Sequence, residues 1–251
     1  MFSFIKSDIN PLESESLAQY LAKVSIKRRK LVKLEIDFIP QSRQKWEKIL
    51  ADRTTDCERA ENAINACYLY TGLERARILW TENPLIAMTI LINRPDLIDV
   101  SSEILEGIWK SCNQEIDRQI EPKFVDVVKA YANPRAQIFG AQQTLAFDPL
   151  GDFLNQVSIA EIQTRYPTIE LSSLPTTIQD YRVAYLSYFD YFHQIGIDIP
   201  QIQLLVDLAK SCGCCWAFEN IAIMTPKASE IKFSDRGELL SLVYDGVNIL
   251  K

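Results

Sequence analysis

The chain has 251 residues, of which 47% are hydrophobic and 24% are charged, and its 27 basic and 33 acidic side chains give a net charge of −6 at pH 7. This composition is that of a globular protein with a sizeable core, and it excludes a disordered chain. A dedicated nucleic-acid binder needs a basic face that neutralises phosphates, so we expect no nucleic-acid partner.

The N-terminal stretch MFSFIKSDINP predicts no signal peptide, because it contains neither a long apolar run nor a small-residue cleavage site. The longest apolar stretch, from Pro84 to Ile92, has about half of the ~20 residues that a membrane span requires. We therefore expect no membrane insertion, a soluble protein in the cytoplasm, and reduced cysteines rather than a disulfide framework.

The first predicted helix lies in PLESESLAQYLAKVSIKRRKLVKLEI, where apolar residues recur at helical spacing at Leu17, Tyr20, Leu21 and Val24. Acidic residues at its start and basic residues at its end suit the helix dipole. The basic run from Lys27 to Lys30 indicates either a contact with an anionic partner or a solvated helix end, and short charge runs are usually the latter.

Two further helices are predicted before the first strand. SRQKWEKILADR places Trp46 and Ile49 on one helical face. TDCERAENAINACYLYTGL reads as a helix that Thr55 or Asp56 can cap, with Gly72 at its C-terminal end. The apolar stretch ARILW that follows is short and bounded by turn signals, which is typical of a buried strand.

The middle of the chain is helical by pattern. Pro84 suits the first position of a helix, and DVSSEILEGIWKSCNQEIDRQI and PRAQIFGAQQTLAF carry apolar residues at helical spacing. The aromatic-rich segment TTIQDYRVAYLSYFDYFHQIG predicts a helix that is buried on more than one side, or that lines a ligand pocket. A connection around residues 157–175 separates these helices, and a last amphipathic helix ends at Gly213.

The character of the sequence changes after Gly213. NIAIMTP, SEIKFSDRG and LLSLVYDGVNIL alternate apolar and polar residues, and the Asp245-Gly246 step indicates a hairpin turn with positive φ values. We predict an α+β fold, mainly α-helical with a small C-terminal antiparallel β-meander. It forms a single domain over residues 1–251, with the helical part at about 1–213 and the β part at about 214–251.

The sharpest chemical signal is SCGCCW, which places Cys212, Cys214 and Cys215 within four residues. A structural zinc site needs about four ligands, and no second cysteine pair at the usual spacing supplies the rest. The spacing is also not the C-x-x-C of redox proteins. A metal or redox site would therefore need Cys112 or His193 from far away, and we expect no metal and no cofactor.

Catalytic signals are sparse. His193 is the only histidine, which excludes any mechanism with two, although a Cys-His or Ser-His pair is arithmetically possible. A single histidine on an aromatic helix is more often a packed residue. The sequence contains neither G-x-G-x-x-G nor G-x-x-x-x-G-K-[ST], the phosphate-binding loops. We name no catalytic residue.

Three segments together resemble a family of uncharacterised bacterial proteins, which is recognised by a tryptophan before a Ser-Pro step and by a distant tryptophan-rich segment that leads into a β-meander. GLERARILWTENPLIA is similar to the first block, with Asn83 in place of the serine, and YLSYFDYFHQIG is similar to an aromatic helix before the second. SCGCCWAFENIAIMTPKASEIKFSDRGEL is similar to the second block, where the matching positions are Gly213, Trp216, Phe218, Glu219, Glu230, Asp235, Gly237 and Leu239.

The departures from that family are informative. Cys214 and Cys215 stand where the family has tryptophans, so the resemblance implies packing positions, and the thiols read as apolar filler. Two histidine-containing steps of the family correspond to Leu239-Leu240 and to residues 244–246 here, so any chemistry of those histidines is lost. The resemblance implies a fold and supplies no mechanism.

Two functions of different classes follow from these observations. The first is a non-catalytic cytoplasmic protein-interaction or regulatory module with a protein partner, which a large exposed apolar patch would support. The alternative is a small-molecule-binding protein or enzyme with a pocket near Trp80, Asn83 and Glu219. Trp80, Pro84, Trp216 and Glu219 are expected at one junction between the helices and the sheet, and the candidate binding residues are Trp80, Asn83, Trp216, Glu219 and Glu230.

Overall fold

The computed structural model describes residues 28–94, 104–132, 164, 183–234 and 239–249. Its helices are α1 (Lys33–Ala51), α2 (Cys57–Tyr70), α3 (Pro84–Asn93), α4 (Ile104–Gln119), α5 (Pro122–Tyr131), α6 (Val183–Gln194) and α7 (Ile202–Ser211). Its strands are β1 (Arg77–Trp80), β2 (Cys215–Ala217), β3 (Ile221–Met224), β4 (Glu230–Phe233), β5 (Leu239–Tyr244) and β6 (Val247–Asn248).

Local sequence signals set several helix ends. Asp56 caps α2, because its side chain accepts a hydrogen bond from the backbone N–H of Arg59. Helix α2 is followed by Gly72, whose φ of 81° lies in the left-handed region that glycine tolerates. Helix α1 begins earlier than the sequence pattern predicts and runs through Pro40.

The helices bury one large core whose centre is aromatic. The largest fully buried side chains in it come from α1, α2 and α6, and they are Trp46, Tyr68, Tyr188, Phe189, Tyr191 and Phe192. The prediction that the aromatic helix is buried on more than one side is confirmed for these α6 residues. The hydroxyl of Tyr68 links this core to the first β-sheet, since it donates to the backbone carbonyls of Phe218 and Ile221.

The first sheet has the order β1-β3-β2, and it is mixed rather than antiparallel. Strand β1 pairs in parallel with β3, with Trp80 opposite Met224, while β2 pairs antiparallel with β3, with Trp216 opposite Ile223. The predicted meander therefore differs from the structure at this point. A strand from early in the chain joins it, and the helices between β1 and β3 provide the long crossover that a parallel pair needs.

The second sheet has the order β4-β5-β6 and is antiparallel throughout. The predicted hairpin is confirmed: Asp245 and Gly246 have φ values of 46° and 79° between β5 and β6. With seven described helices and two small sheets that include all the C-terminal strands, the fold class is α+β and mainly helical, as the sequence predicts.

The two faces of the first sheet contact different layers. Alternate residues of β2 and β3, such as Cys215, Ala217 and Met224, face the helical core. The residues between them, such as Trp216 and Ile223, belong to a second apolar cluster with α3 and the second sheet. The first sheet is thus a middle layer, which explains why its β2 strand has no polar residue.

Several predictions lie outside the described residues. These are the first helix as far as Lys27, the segment PRAQIFGAQQTLAF, nearly all of the connection around 157–175, and the turn that contains Asp235 and Gly237. The rest of the basic run, residues 28–30, is not helical as predicted, because Arg29 forms a parallel β-bridge with Ile120. Among the helices that the structure does describe, none combines the length and the apolar character that a bilayer crossing demands.

Candidate functional site

The indole N–H of Trp80 and the side-chain oxygen of Asn83 are occupied by the fold. The indole Nε1 of Trp80 donates to the carboxylate of Glu61 at 2.8 Å. Asn83 caps α3, because its Oδ1 accepts from the backbone N–H groups of Leu85 at 3.0 Å and Ile86 at 3.1 Å. These two atoms therefore serve the fold and are not offered to a ligand.

The structure does not bring Trp80, Asn83 and Glu219 into one pocket. Trp80 ends β1 opposite Met224, whereas Glu219 lies in the turn before β3, beside the other end of the sheet, and is exposed. Trp216 is 1% exposed and belongs to the cluster on the sheet face opposite to that of Trp80. The first sheet therefore lies between the residues that were expected at one junction. The prediction is wrong because the pairing of β1 with β3 is not visible in the sequence.

Glu230 lies apart from the other candidates, at the start of β4 in the second sheet. Its carboxylate pairs with Lys232 at 2.9 Å and accepts a hydrogen bond from the hydroxyl of Ser241 at 3.3 Å. The hydrogen bond from Lys232 lowers the pKa of Glu230 below its ordinary value. This is the arrangement of a surface ion pair.

The cysteines of SCGCCW are divided between the two apolar clusters. Cys212 and Cys215 lie in the helical core, and Cys214 lies in the cluster between the sheets. Burial raises the pKa of the Cys212 thiol to about 12 and that of Cys215 well above its ordinary value. Within the described part of the chain, no three His, Cys, Asp or Glu side chains are grouped so that they could hold a metal ion.

Alkylation measures this difference among the thiols. In folded protein at pH 8, we expect iodoacetamide to modify Cys57, which is exposed, and to leave the five buried cysteines unmodified on the same time scale. A thiol whose pKa is about 12, such as Cys67, is thiolate in only about one molecule in 10⁴ at that pH. Mass spectrometry counts one adduct in buffer and six in denaturant.

The matched variant for this experiment is Cys57→Ser, which should acquire no rapid adduct while folded. Rapid modification of Cys212, Cys214 or Cys215 in native buffer would contradict the buried positions of these residues.

A buried carboxylate that the sequence analysis missed lies between α1 and α6. Asp190 has no exposed surface, and its Oδ2 accepts from Lys45 Nζ at 2.6 Å, Trp46 Nε1 at 2.8 Å and Gln194 Nε2 at 2.8 Å. Among the described residues, its Oδ1 has no hydrogen-bond partner, and neither does the buried Nδ1 of His193 on the same helix. The only available signal was an acidic residue inside the aromatic run YLSYFDYF.

A groove of about 650 Å³ lies at the same helix pair, between the first half of α1 and the end of α6. Leu34, Phe38 and Ile195 are its apolar lining residues, and Asp37 and Gln194 are among its polar ones. Leu34 is 79% exposed, the highest exposure of any large apolar side chain in the described chain. The groove was not predicted, because it depends on the contact between two helices that are far apart in sequence.

A different pocket of about 320 Å³ lies where the ends of α1 and α7 meet the start of α2. Its lining includes four basic side chains, Lys48, Arg59, Lys210 and Lys227. Comparison of the chain with protein-family models, with curated proteins and with solved structures gave no match. The two cavities and their side chains are therefore the basis for inferring a function.

Proposed function

We propose that the protein is a non-catalytic cytoplasmic protein-interaction or regulatory module, and that it binds an amphipathic, basic helix of a partner protein in the α1–α6 groove. The observation that carries the proposal is the 79% exposure of Leu34 on the wall of this groove. An apolar side chain in that position gains most of its burial only when a partner covers it.

The shape of the groove suits a helix. Leu34, Phe38 and Gln41 line it from successive turns of α1, over about 10 Å at the helical rise of 1.5 Å per residue. Phe38 and Ile195 are partly buried against the helical core, so the apolar wall has rigid support. A partner helix with apolar residues at i, i+3, i+4 and i+7 matches this arrangement.

The charge of the groove selects a basic partner. Asp37 is exposed on its lining, and its side chain makes no ion pair or hydrogen bond with the described residues. Glu35 is the other lining carboxylate, and Arg29 pairs with it at 2.8 Å. Because the whole chain carries a charge of −6, lysine or arginine beside the apolar stripe of a partner helix would speed association and fix its orientation.

Fluorescence anisotropy with labelled model peptides tests the proposal. An amphipathic Leu/Lys helix should bind saturably, whereas a scrambled peptide of the same composition and a Leu/Glu helix should bind at least about tenfold more weakly. Leu34→Gln should weaken binding of the Leu/Lys helix about tenfold or more, since burial of a leucine contributes about 1.5 kcal/mol or more. Asp37→Asn should produce a smaller loss that disappears at high salt.

The chain offers a control for each substitution. Leu69 is 54% exposed at the end of α2, and Asp126 is exposed on α5, so Leu69→Gln and Asp126→Asn make the same chemical changes elsewhere. Equal binding of the scrambled and amphipathic Leu/Lys peptides, or equal losses from Leu34→Gln and Leu69→Gln, would refute the groove as the site.

A further inference from the structure

The 320 Å³ pocket is built from four separate elements, each of which contributes one basic side chain. Lys48 comes from the last turn of α1, Arg59 from the first turn of α2, Lys210 from the last turn of α7, and Lys227 from the loop after β3. The protein as a whole has more acidic than basic residues, 33 against 27. The lining also contains Asp52 and Asp56, so four cations stand against two carboxylates, and the pocket has the opposite sign to the whole chain.

The walls of this pocket are held together by hydrogen bonds whose acceptors are backbone carbonyls and a hydroxyl, not carboxylates. The backbone N–H of Asp56 donates to the carbonyl of Ser211 at 2.9 Å, which fixes the start of α2 against the end of α7. The backbone N–H of Lys227 donates to the hydroxyl of Thr55 at 2.9 Å, and its ammonium donates to the carbonyl of Asp52 at 3.0 Å. The cavity is thus assembled before any ligand binds.

The acidic residues around the pocket are already engaged. The carboxylate of Asp207 pairs with the guanidinium of Arg59, and its Oδ1 lies 4.0 Å from the Nζ of Lys210. Asp52 accepts from the backbone N–H of Thr54, and Asp56 accepts from the backbone N–H of Arg59. Four basic side chains against these three carboxylates leave one positive charge in excess, and the carboxylates have hydrogen bonds that hold them to the protein.

We propose that this pocket binds a small phosphate monoester, with the phosphate among Lys48, Arg59, Lys210 and Lys227. A dianion with three oxygens suits several converging cations better than a monoanionic carboxylate does, and a guanidinium matches its geometry. Ile49 in the lining offers an apolar surface for the organic part of the molecule. A volume of about 320 Å³ is at the small end of ligand pockets, which favours a metabolite-sized compound over a polymer.

The environment of Lys210 agrees with an anionic ligand. Burial lowers the pKa of Lys210 below its ordinary value, and the nearby charges of Arg59 and Lys45 lower it further, while Asp207 and Asp190 oppose these effects. A phosphate in the pocket adds negative charge at that point. Binding should therefore raise the pKa of Lys210, which a titration of its side-chain resonances can follow.

Isothermal titration calorimetry at low ionic strength tests the site with ribose 5-phosphate, ribose and inorganic phosphate as probes. Ribose 5-phosphate should bind at one site per chain and ribose should not bind. Lys48→Gln and Lys210→Gln should each weaken the binding about tenfold or more, because each removes a charge-assisted hydrogen bond to the phosphate. Lys232→Gln is the control, since Lys232 is a surface residue paired with Glu230 in the second sheet.

The outcomes separate the sources of the phosphate group. If inorganic phosphate binds as tightly as ribose 5-phosphate, the pocket is a phosphate site, but the monoester is wrong and the free anion is the ligand. If neither phosphate binds saturably, or if Lys48→Gln and Lys210→Gln bind as tightly as the control variant, the proposal is wrong. Lys48 is exposed, so its variant remains informative even if thermal melting shows that Lys210→Gln is less stable. The groove variant Leu34→Gln should leave this binding unchanged.

Discussion

Replacing Asp190 with alanine is expected to lower the free energy of unfolding by about 1–3 kcal/mol, the cost of leaving a buried donor without an acceptor. The carboxylate is fully buried, and its Oδ2 accepts hydrogen bonds from Lys45, Trp46 and Gln194. Without it, the indole N–H of Trp46, which has no exposed surface, keeps a donor with no acceptor, and Lys45 loses its counter-charge. Urea denaturation followed by tryptophan fluorescence measures the change.

Two other substitutions separate the causes of this loss. Asp190→Asn keeps an oxygen that can accept from Trp46 and removes only the negative charge, so its effect should be the smaller one. Asp198→Ala removes an exposed aspartate from the turn after α6 and should change stability by less than about 0.5 kcal/mol. A loss below about 1 kcal/mol for Asp190→Ala would mean that the carboxylate is not the buried acceptor of this helix pair.

The features that the sequence predicts correctly are local ones. The cap at Asp56, the proline at the start of α3 and the turn at Asp245-Gly246 each depend on residues within one turn of the chain. The helical periodicities likewise predict which side of α2 or α7 is apolar. These signals suffice for the fold class, because an amphipathic element needs only its own pattern to specify its buried face.

The candidate site depends on contacts between distant segments, and there the sequence is insufficient. Trp80 and Trp216 look like one aromatic junction, yet the register of β1, β3 and β2 puts them on opposite faces of a sheet. A shift of one residue in any strand would reverse a face, and no residue in ARILW indicates that its partner is β3. The order of the strands is decided by how the helices bury their faces, which is a property of the whole chain.

The same reason explains why both cavities were missed. Lys48 and Lys210 are ordinary helix-end lysines in the sequence, and only the packing of α7 against α1 and α2 brings them to one pocket. Asp190 left a trace, an acid among aromatic residues, but nothing near it in sequence identifies Lys45 or Trp46 as its partners. A charged residue in an apolar run therefore predicts a buried polar contact, but it does not predict which residues are its partners.

The substitution Gly213→Ala is expected to destabilise the protein by about 3 kcal/mol or more, which is the upper range for inserting one carbon into a packed site. A Cβ atom at this position would lie 2.3 Å from the backbone oxygen of Pro226 and 3.0 Å from the hydroxyl oxygen of Thr225. The oxygen of Pro226 belongs to the backbone, so no side-chain rotation can relieve the contact. Thermal and chemical denaturation of the purified variant measure the loss.

The hydrogen bonds around Gly213 prevent the two backbones from separating. Its N–H donates to the carbonyl of Thr225 at 3.0 Å, and the N–H of Cys214 donates to the Thr225 hydroxyl at 2.9 Å. The N–H of Thr225 returns a bond to the carbonyl of Cys214 at 3.0 Å. A methyl group at position 213 must break some of these hydrogen bonds or shift the end of β3, the central strand of the first sheet.

The same change at Gly107 provides a control with the opposite sign. Gly107 lies inside α4, and beyond its own helical turn no atom of the described residues is within 4 Å of the place its Cβ would occupy. Alanine there should stabilise the protein by about 0.5–1 kcal/mol, because it reduces the freedom of the unfolded chain and favours the helix. If both variants changed stability in the same direction, the close approach at Gly213 would not be the cause.

In SCGCCW, the residue that the fold requires most strictly is the glycine, while the three cysteines fill space that other apolar side chains could also fill.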